Sequence, residues 1–135
     1  MQIINKKYLN LNDFGEKKSE YFLKNKPFPH IVNKELFNPI FLTEVLNEFP
    51  DLSNRQAFIK KNNFQVGKFY TGDETYFSTN TLILFHYLNS QPFLEYLQKL
   101  TGIKEKLFGD PYYFGGGLHQ TKSGGWLKIH SAFKK

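Results

Sequence analysis

The chain has 135 residues, of which 40% are hydrophobic and 18% aromatic, and it contains no cysteine. This length suits one domain with a buried core, and fifteen Phe and eight Tyr exclude a mainly disordered chain. The net charge is +6, but Arg55 is the single arginine and no basic stripe stands out, which disfavours nucleic acid as a partner.

Membrane and export signals are missing from the sequence. No stretch approaches the ~18 apolar residues that a membrane span needs. Residues 1–14 also lack the charged and then apolar pattern of a signal peptide. We therefore expect a soluble, cytoplasmic protein with no membrane partner, and the lack of cysteine excludes disulfides and thiolate metal ligands.

The first half of the chain predicts one strand and one helix. Residues 27–32 are apolar and bounded by Pro27 and Pro29, which predicts an edge strand. A helix is predicted to begin at Asn38-Pro39 and to end before Pro50. Its apolar residues at helical spacing are Leu42, Val45, Leu46 and Phe49. Residues 54–76 are irregular, and we expect turns at 60–63 and 71–74.

Two further helices are predicted before residue 110. Residues 81–88 are apolar enough for a buried helix, and the next helix begins at Ser90-Gln91-Pro92. Gly102 is expected to end it in the left-handed conformation. The residues that should face inward are Phe93, Leu94, Leu97 and Leu100.

The sequence becomes rich in glycine and aromatic residues after Asp110-Pro111. Residues 112–120 read as a strand, residues 121–125 as a turn and residues 126–133 as a second strand. We therefore expect an α+β domain spanning residues 1–135, with a helical layer over 1–110 and a β-hairpin over 111–133.

The last predicted strand has two distinct faces. Alternation places Trp126, Lys128, His130 and Ala132 on one face, and Leu127, Ile129, Ser131 and Phe133 on a second face that reads as core. His130 is a candidate metal ligand on a rigid strand. From spacing alone, a hydrogen-bonded structural histidine is the commoner reading.

Two strings in this region resemble a known family. They are Phe114-Gly115-Gly116-Gly117-Leu118-His119-Gln120 and Gly124-Gly125-Trp126-Leu127-Lys128-Ile129-His130-Ser131-Ala132-Phe133. Together they resemble the start of the double-stranded β-helix in the iron(II)/2-oxoglutarate-dependent dioxygenases, prolyl-hydroxylase-like branch, whose pattern is GG-x-Leu-x-x-His-x-Asp-Phe. The segment 26–32 followed by a helix is also similar to the start of these domains, so the resemblance covers about residues 27–133.

The resemblance implies a fold, a reaction and a set of site residues. The fold would be N-terminal helices packed on the first strands of a double-stranded β-helix, or jelly roll. The reaction would be hydroxylation of a peptidyl or small-molecule C–H with iron(II) and 2-oxoglutarate as cofactors. His130 would be the first iron ligand, and Tyr113 and His119 would line the cofactor pocket. Tyr112 is an alternative to Tyr113, packing is an equally open role for both tyrosines, and no catalytic residue is assigned.

The sequence departs from the family pattern at the remaining ligands. Ala132 stands where the carboxylate ligand belongs, and the distal histidine and the basic cosubstrate clamp have no counterparts before Lys135. We therefore expect a shortened family member that binds iron weakly and does not turn over alone. It would be a truncated gene product, a split gene or a decayed copy, and in the split-gene case a second polypeptide would supply the missing strands.

Two alternative interpretations remain open. One is a non-catalytic remnant or interaction module that needs a partner to cover its sheet edge. The other is a halogenating enzyme, since some enzymes of this kind have Ala or Gly in place of the carboxylate and bind a halide there. In that case Ala132 would mark the halide position, and a complete downstream region would be required.

Overall fold

The structure is a computed structural model that describes residues 2–54 and 64–129. The chain divides into two compact units, which are described separately below. The first unit comprises Met1–Phe49 and Phe77–Pro111, and the second comprises Pro50–Tyr76 and Tyr112–Lys135. Helices form the first unit and an antiparallel strand pair forms the second, which confirms the α+β class. The jelly roll and the single-domain organisation stay predictions.

The described part of the first unit contains four α-helices. They are α1 (Leu11–Lys24), α2 (Pro39–Asn47), α3 (Thr79–Leu88) and α4 (Gln91–Thr101). None of them has both the length and the apolar character that crossing a membrane requires, within the residues described.

Helix α1 was not predicted, and a cap marks its start. The Asn10 side chain accepts the backbone N–H of Asp13 at 3.2 Å and donates to the Asp13 carboxylate at 2.6 Å. This reciprocal pair satisfies an N–H group that the first helical turn leaves without a partner. Helix α1 then packs against α4, and its Gly15 permits the close approach, because a Cβ there would lie 3.0 Å from the carbonyl oxygen of Tyr96.

The core of the first unit is built from α1, α4 and the segments that precede α1 and α2. The side chains buried in it are Ile4, Leu11, Leu36, Phe93, Tyr96 and Leu100. Phe93 and Leu100 are buried as predicted, whereas Leu94 and Leu97 are only half-buried and Tyr96 takes an inward position instead. Gly102 ends α4 with φ of 74°, which confirms the predicted left-handed cap.

Helices α2 and α3 form where they were predicted, but α3 is not the buried helix that was expected, because Asn80 and Thr81 are its only buried residues. Asn38 caps α2 by accepting the N–H of Ile40 at 2.9 Å, and the helix ends before Pro50. Helix α3 begins at Thr79, two residues before the predicted start. The Glu48 carboxylate accepts the backbone N–H of Asn80 at 3.0 Å and its side-chain amide at 2.6 Å. These hydrogen bonds hold the pKa of Glu48 below its usual value.

The predicted edge strand at residues 27–32 is wrong. Two prolines there cannot donate to a ladder, and side chains take over the local hydrogen bonding. The Asn25 amide donates to the His30 carbonyl at 3.2 Å, and Nδ1 of His30 lies 2.8 Å from the carbonyl oxygen of Phe28. The chain pairs elsewhere in the first unit, through an antiparallel bridge between Ile4 and Phe37.

The second unit is organised around two antiparallel strands, β1 (Gln65–Thr71) and β2 (Leu118–Leu127). The structure therefore differs from the predicted hairpin over 111–133, and a strand occupies part of the segment predicted to be irregular. The partner of β2 comes from residues 65–71, and residues 111–117 form turns. The predicted turns at 60–63 lie outside the described residues.

A bulge explains why residues 121–125 do not reverse the chain. Val66 pairs with Trp126 and Lys68 pairs with Thr121, so Gly67 faces the four residues 122–125. Gly67 and Gly124 have φ of 64° and 75°, a region that glycine adopts at little cost. The extra residues are thus absorbed inside a continuous β2.

The predicted core face of the last strand also differs from the structure. Leu127 is exposed and Ile129 is fully exposed, whereas both were expected in a core. Ser131 and Phe133, the other members of that face, lie outside the described residues.

Candidate functional site

Strand β2 carries part of the two family-like strings, residues 118–120 and 124–127. Residues 118–121 and 126–127 of β2 pair with β1, while His130 and Ala132 lie outside the described residues. Strand β1 was not predicted, so its contributions to this region were missed as well. The signal was present in the enrichment of residues 64–71 in aromatic and β-branched side chains, namely Phe64, Val66, Phe69, Tyr70 and Thr71.

The strand pair brings Tyr70 and His119 together. They are directly opposed across the ladder, and their ring centroids lie 4.7 Å apart at an interplanar angle of 43°. His119 is exposed and Tyr70 is half-buried. Opposed residues share a face of the sheet, so the Tyr70 ring lies against one side of the His119 imidazole.

The Tyr70 hydroxyl also anchors the glycine-rich turn. It lies 3.1 Å from the carbonyl oxygen of Gly116 and 3.4 Å from that of Tyr113, to which it can donate. Gly117 lets the turn pass close to β1, because a Cβ there would lie 2.5 Å from the carbonyl oxygen of Thr71. A glycine at position 117 is therefore needed for close packing against β1.

Tyr113 contributes its backbone to this region and its side chain to the interior. It has φ of 52°, which is uncommon for a bulky residue, and its side chain is buried. Tyr112, the predicted alternative, is exposed and lies 5.7 Å from Phe114 between ring centroids. Of the two residues predicted to line a cofactor pocket, His119 is exposed, whereas Tyr113 has a buried side chain and a carbonyl oxygen that lies 3.4 Å from the Tyr70 hydroxyl.

A polar contact supports β2 from the segment before β1. The Gln120 side chain accepts the N–H of Leu52 at 2.7 Å and donates to the Asp51 carboxylate at 3.1 Å. Hydrogen bonds from Ser53 and Gln120, together with the charge of Lys122, hold the pKa of Asp51 below its usual value. Leu52 itself is almost fully buried.

A second group of side chains forms what we call the aromatic–lysine cluster: Phe64, Val66, Trp126 and Lys128. Val66 and Trp126 are directly opposed, and the backbone N–H of Lys128 donates to the Phe64 carbonyl at 2.8 Å. The Lys128 ammonium lies 5.8 Å from the ring centroids of both Phe64 and Trp126. These distances are within the range of cation–π attraction.

The described residues do not fit an iron site. Among residues 2–54 and 64–129, no three His, Asp or Glu side chains are arranged to hold a metal ion. His30 and His86 belong to the first unit and His119 to the second. The predicted ligand His130 lies outside the described residues, so the described geometry supports no chemical step through iron.

Comparisons with known proteins identify no family. The scan against protein-family models, the search of curated proteins and the search of solved structures each found no match. The resemblance to the dioxygenases therefore depends on the residues of β2 and its flanks. In the structure, Tyr70 contacts both His119 and the glycine-rich turn, which are two parts of the first string.

Proposed function

We propose that this chain is a partial domain of the iron(II)/2-oxoglutarate-dependent dioxygenase type, related to enzymes that hydroxylate a peptidyl or small-molecule C–H. The observation that carries the proposal is the sequence itself, in which a glycine-rich string is followed by Trp126-Leu127-Lys128-Ile129-His130. Ala132 in the carboxylate position leaves the ligand set incomplete. We therefore propose iron binding without turnover.

The geometry around Tyr70 supports a positioning role for this strand pair. The Tyr70 hydroxyl fixes the turn before β2, and its ring lies against His119 at the start of the strand. The buried contact between Leu52 and Gln120 supports β2 from the other side of the strand pair. A strand supported in this way holds side chains more firmly than a loop does.

Iron binding and cosubstrate turnover test the proposal. The full chain is titrated anaerobically with iron(II) in the presence of 2-oxoglutarate, and binding is followed by visible absorbance and calorimetry. Carbon dioxide release from 2-oxoglutarate is then measured in air. We expect weak binding that His130→Ala abolishes, and no release of carbon dioxide.

A matched histidine provides the control. His86 is exposed on α3 in the first unit, so His86→Ala should leave iron binding unchanged. Equal binding by wild type, His130→Ala and His86→Ala would contradict the role of His130. Stoichiometric decarboxylation of 2-oxoglutarate by the chain alone would contradict the incomplete ligand set.

The second candidate function is a non-catalytic interaction module, and the exposure of the second unit favours it. Val66, Trp126 and Ile129 all present large apolar surfaces to solvent. Exposed apolar groups close together on a strand pair are typical of a surface that a partner covers.

Light scattering and urea unfolding in a chelating buffer distinguish the two candidates. A monomer that unfolds cooperatively without metal would support the module. A chain that becomes soluble only with a second polypeptide carrying β-strands would support the partial oxygenase.

A further inference from the structure

We propose that the end of α1 and the segment that follows it bind the surface of an anionic lipid bilayer. The proposal goes beyond the proposed function, because it requires neither iron nor 2-oxoglutarate. It also differs from the expectation of no membrane partner. That expectation depends on the lack of a spanning segment and of a signal peptide, and contact with a lipid surface requires neither.

Helix α1 gathers lysines around Tyr21. Lys17, Tyr21 and Lys24 are spaced by four and three residues, so they fall on one face of the helix. The same three side chains line an open cavity of about 380 Å³. The Lys18 ammonium lies 5.9 Å from the centroid of the Tyr21 ring and therefore adjoins this face. We call Lys17, Lys18, Tyr21 and Lys24 the lysine–tyrosine surface.

This end of the helix is the basic part of the first unit. Residues 17–26 contain four lysines and one acidic residue, Glu20, and all five are described and exposed. The rest of the first unit contains six basic and eight acidic residues. The positive charge of the unit is therefore concentrated in one segment. A cluster of about four lysines on a helix is typical of contact with anionic lipids.

Three of these four lysines are not used in ion pairs inside the protein. Glu20, which also lines the cavity, pairs with Lys24 within α1. Lys17, Lys18 and Lys26 have no carboxylate at ion-pair distance within residues 2–54 and 64–129. Their ammonium groups can therefore attract anionic headgroups without breaking an internal ion pair.

Exposed aromatic side chains adjoin the lysines. Tyr21 is 58% exposed and Phe28 is 63% exposed. Two contacts place Phe28 near the end of α1: its ring centroid lies 5.3 Å from that of His30, and Nε2 of His30 lies 3.1 Å from the side-chain nitrogen of Asn25. Asn25 also lines the cavity. A tyrosine ring with its polar hydroxyl suits the boundary between headgroups and acyl chains, and Phe28 adds apolar area there.

A lipid surface fits this combination of groups better than a nucleic acid does. All basic residues of the lysine–tyrosine surface are lysines, and a lysine acts as a compact point charge. Recognition of nucleic acid phosphates usually uses the bidentate geometry of arginine. A bilayer presents negative charge and an apolar interior at one boundary, so the lysines and the exposed phenylalanine can contact it together.

Vesicle binding tests the proposal. The full-length protein in chelating buffer is sedimented with vesicles of phosphatidylcholine, either alone or with about one third phosphatidylserine, and the bound fraction is measured against lipid concentration. A single-stranded oligothymidylate controls for nucleic acid. Lys17→Gln/Lys18→Gln is compared with Lys104→Gln/Lys106→Gln, which removes the same charge from exposed positions after α4. Lys26→Gln is a second test variant that lies outside α1, so it leaves the helix intact.

We expect binding to the anionic vesicles only, and added salt should weaken it. Binding should weaken by about fivefold for each lysine removed in Lys17→Gln/Lys18→Gln and in Lys26→Gln, whereas Lys104→Gln/Lys106→Gln should leave it unchanged. No binding to the anionic vesicles, equal binding to both kinds of vesicle, equal affinity of the test and control variants, or tighter binding of the oligothymidylate would each overturn the proposal. The chelating buffer contains no iron, so these outcomes are independent of the oxygenase proposal.

Discussion

Removing the Tyr70 hydroxyl should destabilise the second unit. In Tyr70→Phe, the carbonyl oxygen of Gly116 loses a donor at 3.1 Å, and that of Tyr113 loses a weaker contact at 3.4 Å. The Tyr113 oxygen keeps the N–H of Gly116 as a donor at 3.3 Å. One hydrogen bond is therefore lost in effect, which corresponds to about 0.5–1.5 kcal/mol of the free energy of unfolding.

Urea unfolding followed by Trp126 emission measures this loss, because the only tryptophan lies in the second unit. With a urea dependence of about 1–3 kcal/mol per molar, the midpoint should fall by roughly 0.5 M. Tyr21→Phe removes an exposed hydroxyl from α1 and should not move the midpoint. A midpoint for Tyr70→Phe equal to that of wild type would refute the anchoring role of the hydroxyl.

Three further predictions concern packing, backbone conformation and pH. Gly15→Ala should lower the thermal midpoint of the helical circular dichroism signal. A Cβ 3.0 Å from the Tyr96 carbonyl oxygen overpacks the α1–α4 contact by about 1–3 kcal/mol, which exceeds the gain of about 1 kcal/mol in helix propensity. An unchanged or higher midpoint contradicts this prediction. In Gly102→Ala, the new Cβ has no atom within 4 Å, so the only cost is the left-handed backbone conformation. We expect a loss of about 1 kcal/mol in the same assay. A much larger loss would contradict this explanation. The pKa of Asp51 is lowered below 3.8 by folding, so its stabilising effect is complete above that value and is lost as the pH falls through the folded pKa. Urea midpoints from Trp126 emission at pH 6 and pH 3 should therefore differ less for Asp51→Asn than for wild type, and equal differences would contradict the interaction.

Local signals were sufficient to predict α2, α3 and α4. A side-chain cap at Asn38, a proline in the first turn and a terminal Gly102 are each encoded within a few residues. Helix α1 was missed although it has a similar signal, the Asn10–Asp13 cap followed by Leu11, Phe14 and Phe22 on one side. The apolar side chains of Tyr21 and Leu23 lie outside this face and are exposed, so the helical periodicity of the apolar residues is obscured in the sequence.

The strand pairing could not be predicted from local signals. Strands β1 and β2 are separated by more than forty residues, and the glycines at 124 and 125 mimic a hairpin turn. The bulge opposite Gly67 depends on both strands at once, so neither sequence segment reveals it alone. The same reason explains why Tyr70 was missed as the residue that connects His119 with the glycine-rich turn.

The central claim is that the chain carries one iron ligand of an incomplete dioxygenase site. The most direct measurement is anaerobic iron(II) titration in the presence of 2-oxoglutarate, for wild type and His130→Ala, followed by carbon dioxide release in air. The account predicts weak binding that depends on His130 and no release above the level of free iron. Binding that is indifferent to His130, or stoichiometric decarboxylation by the chain alone, would contradict it.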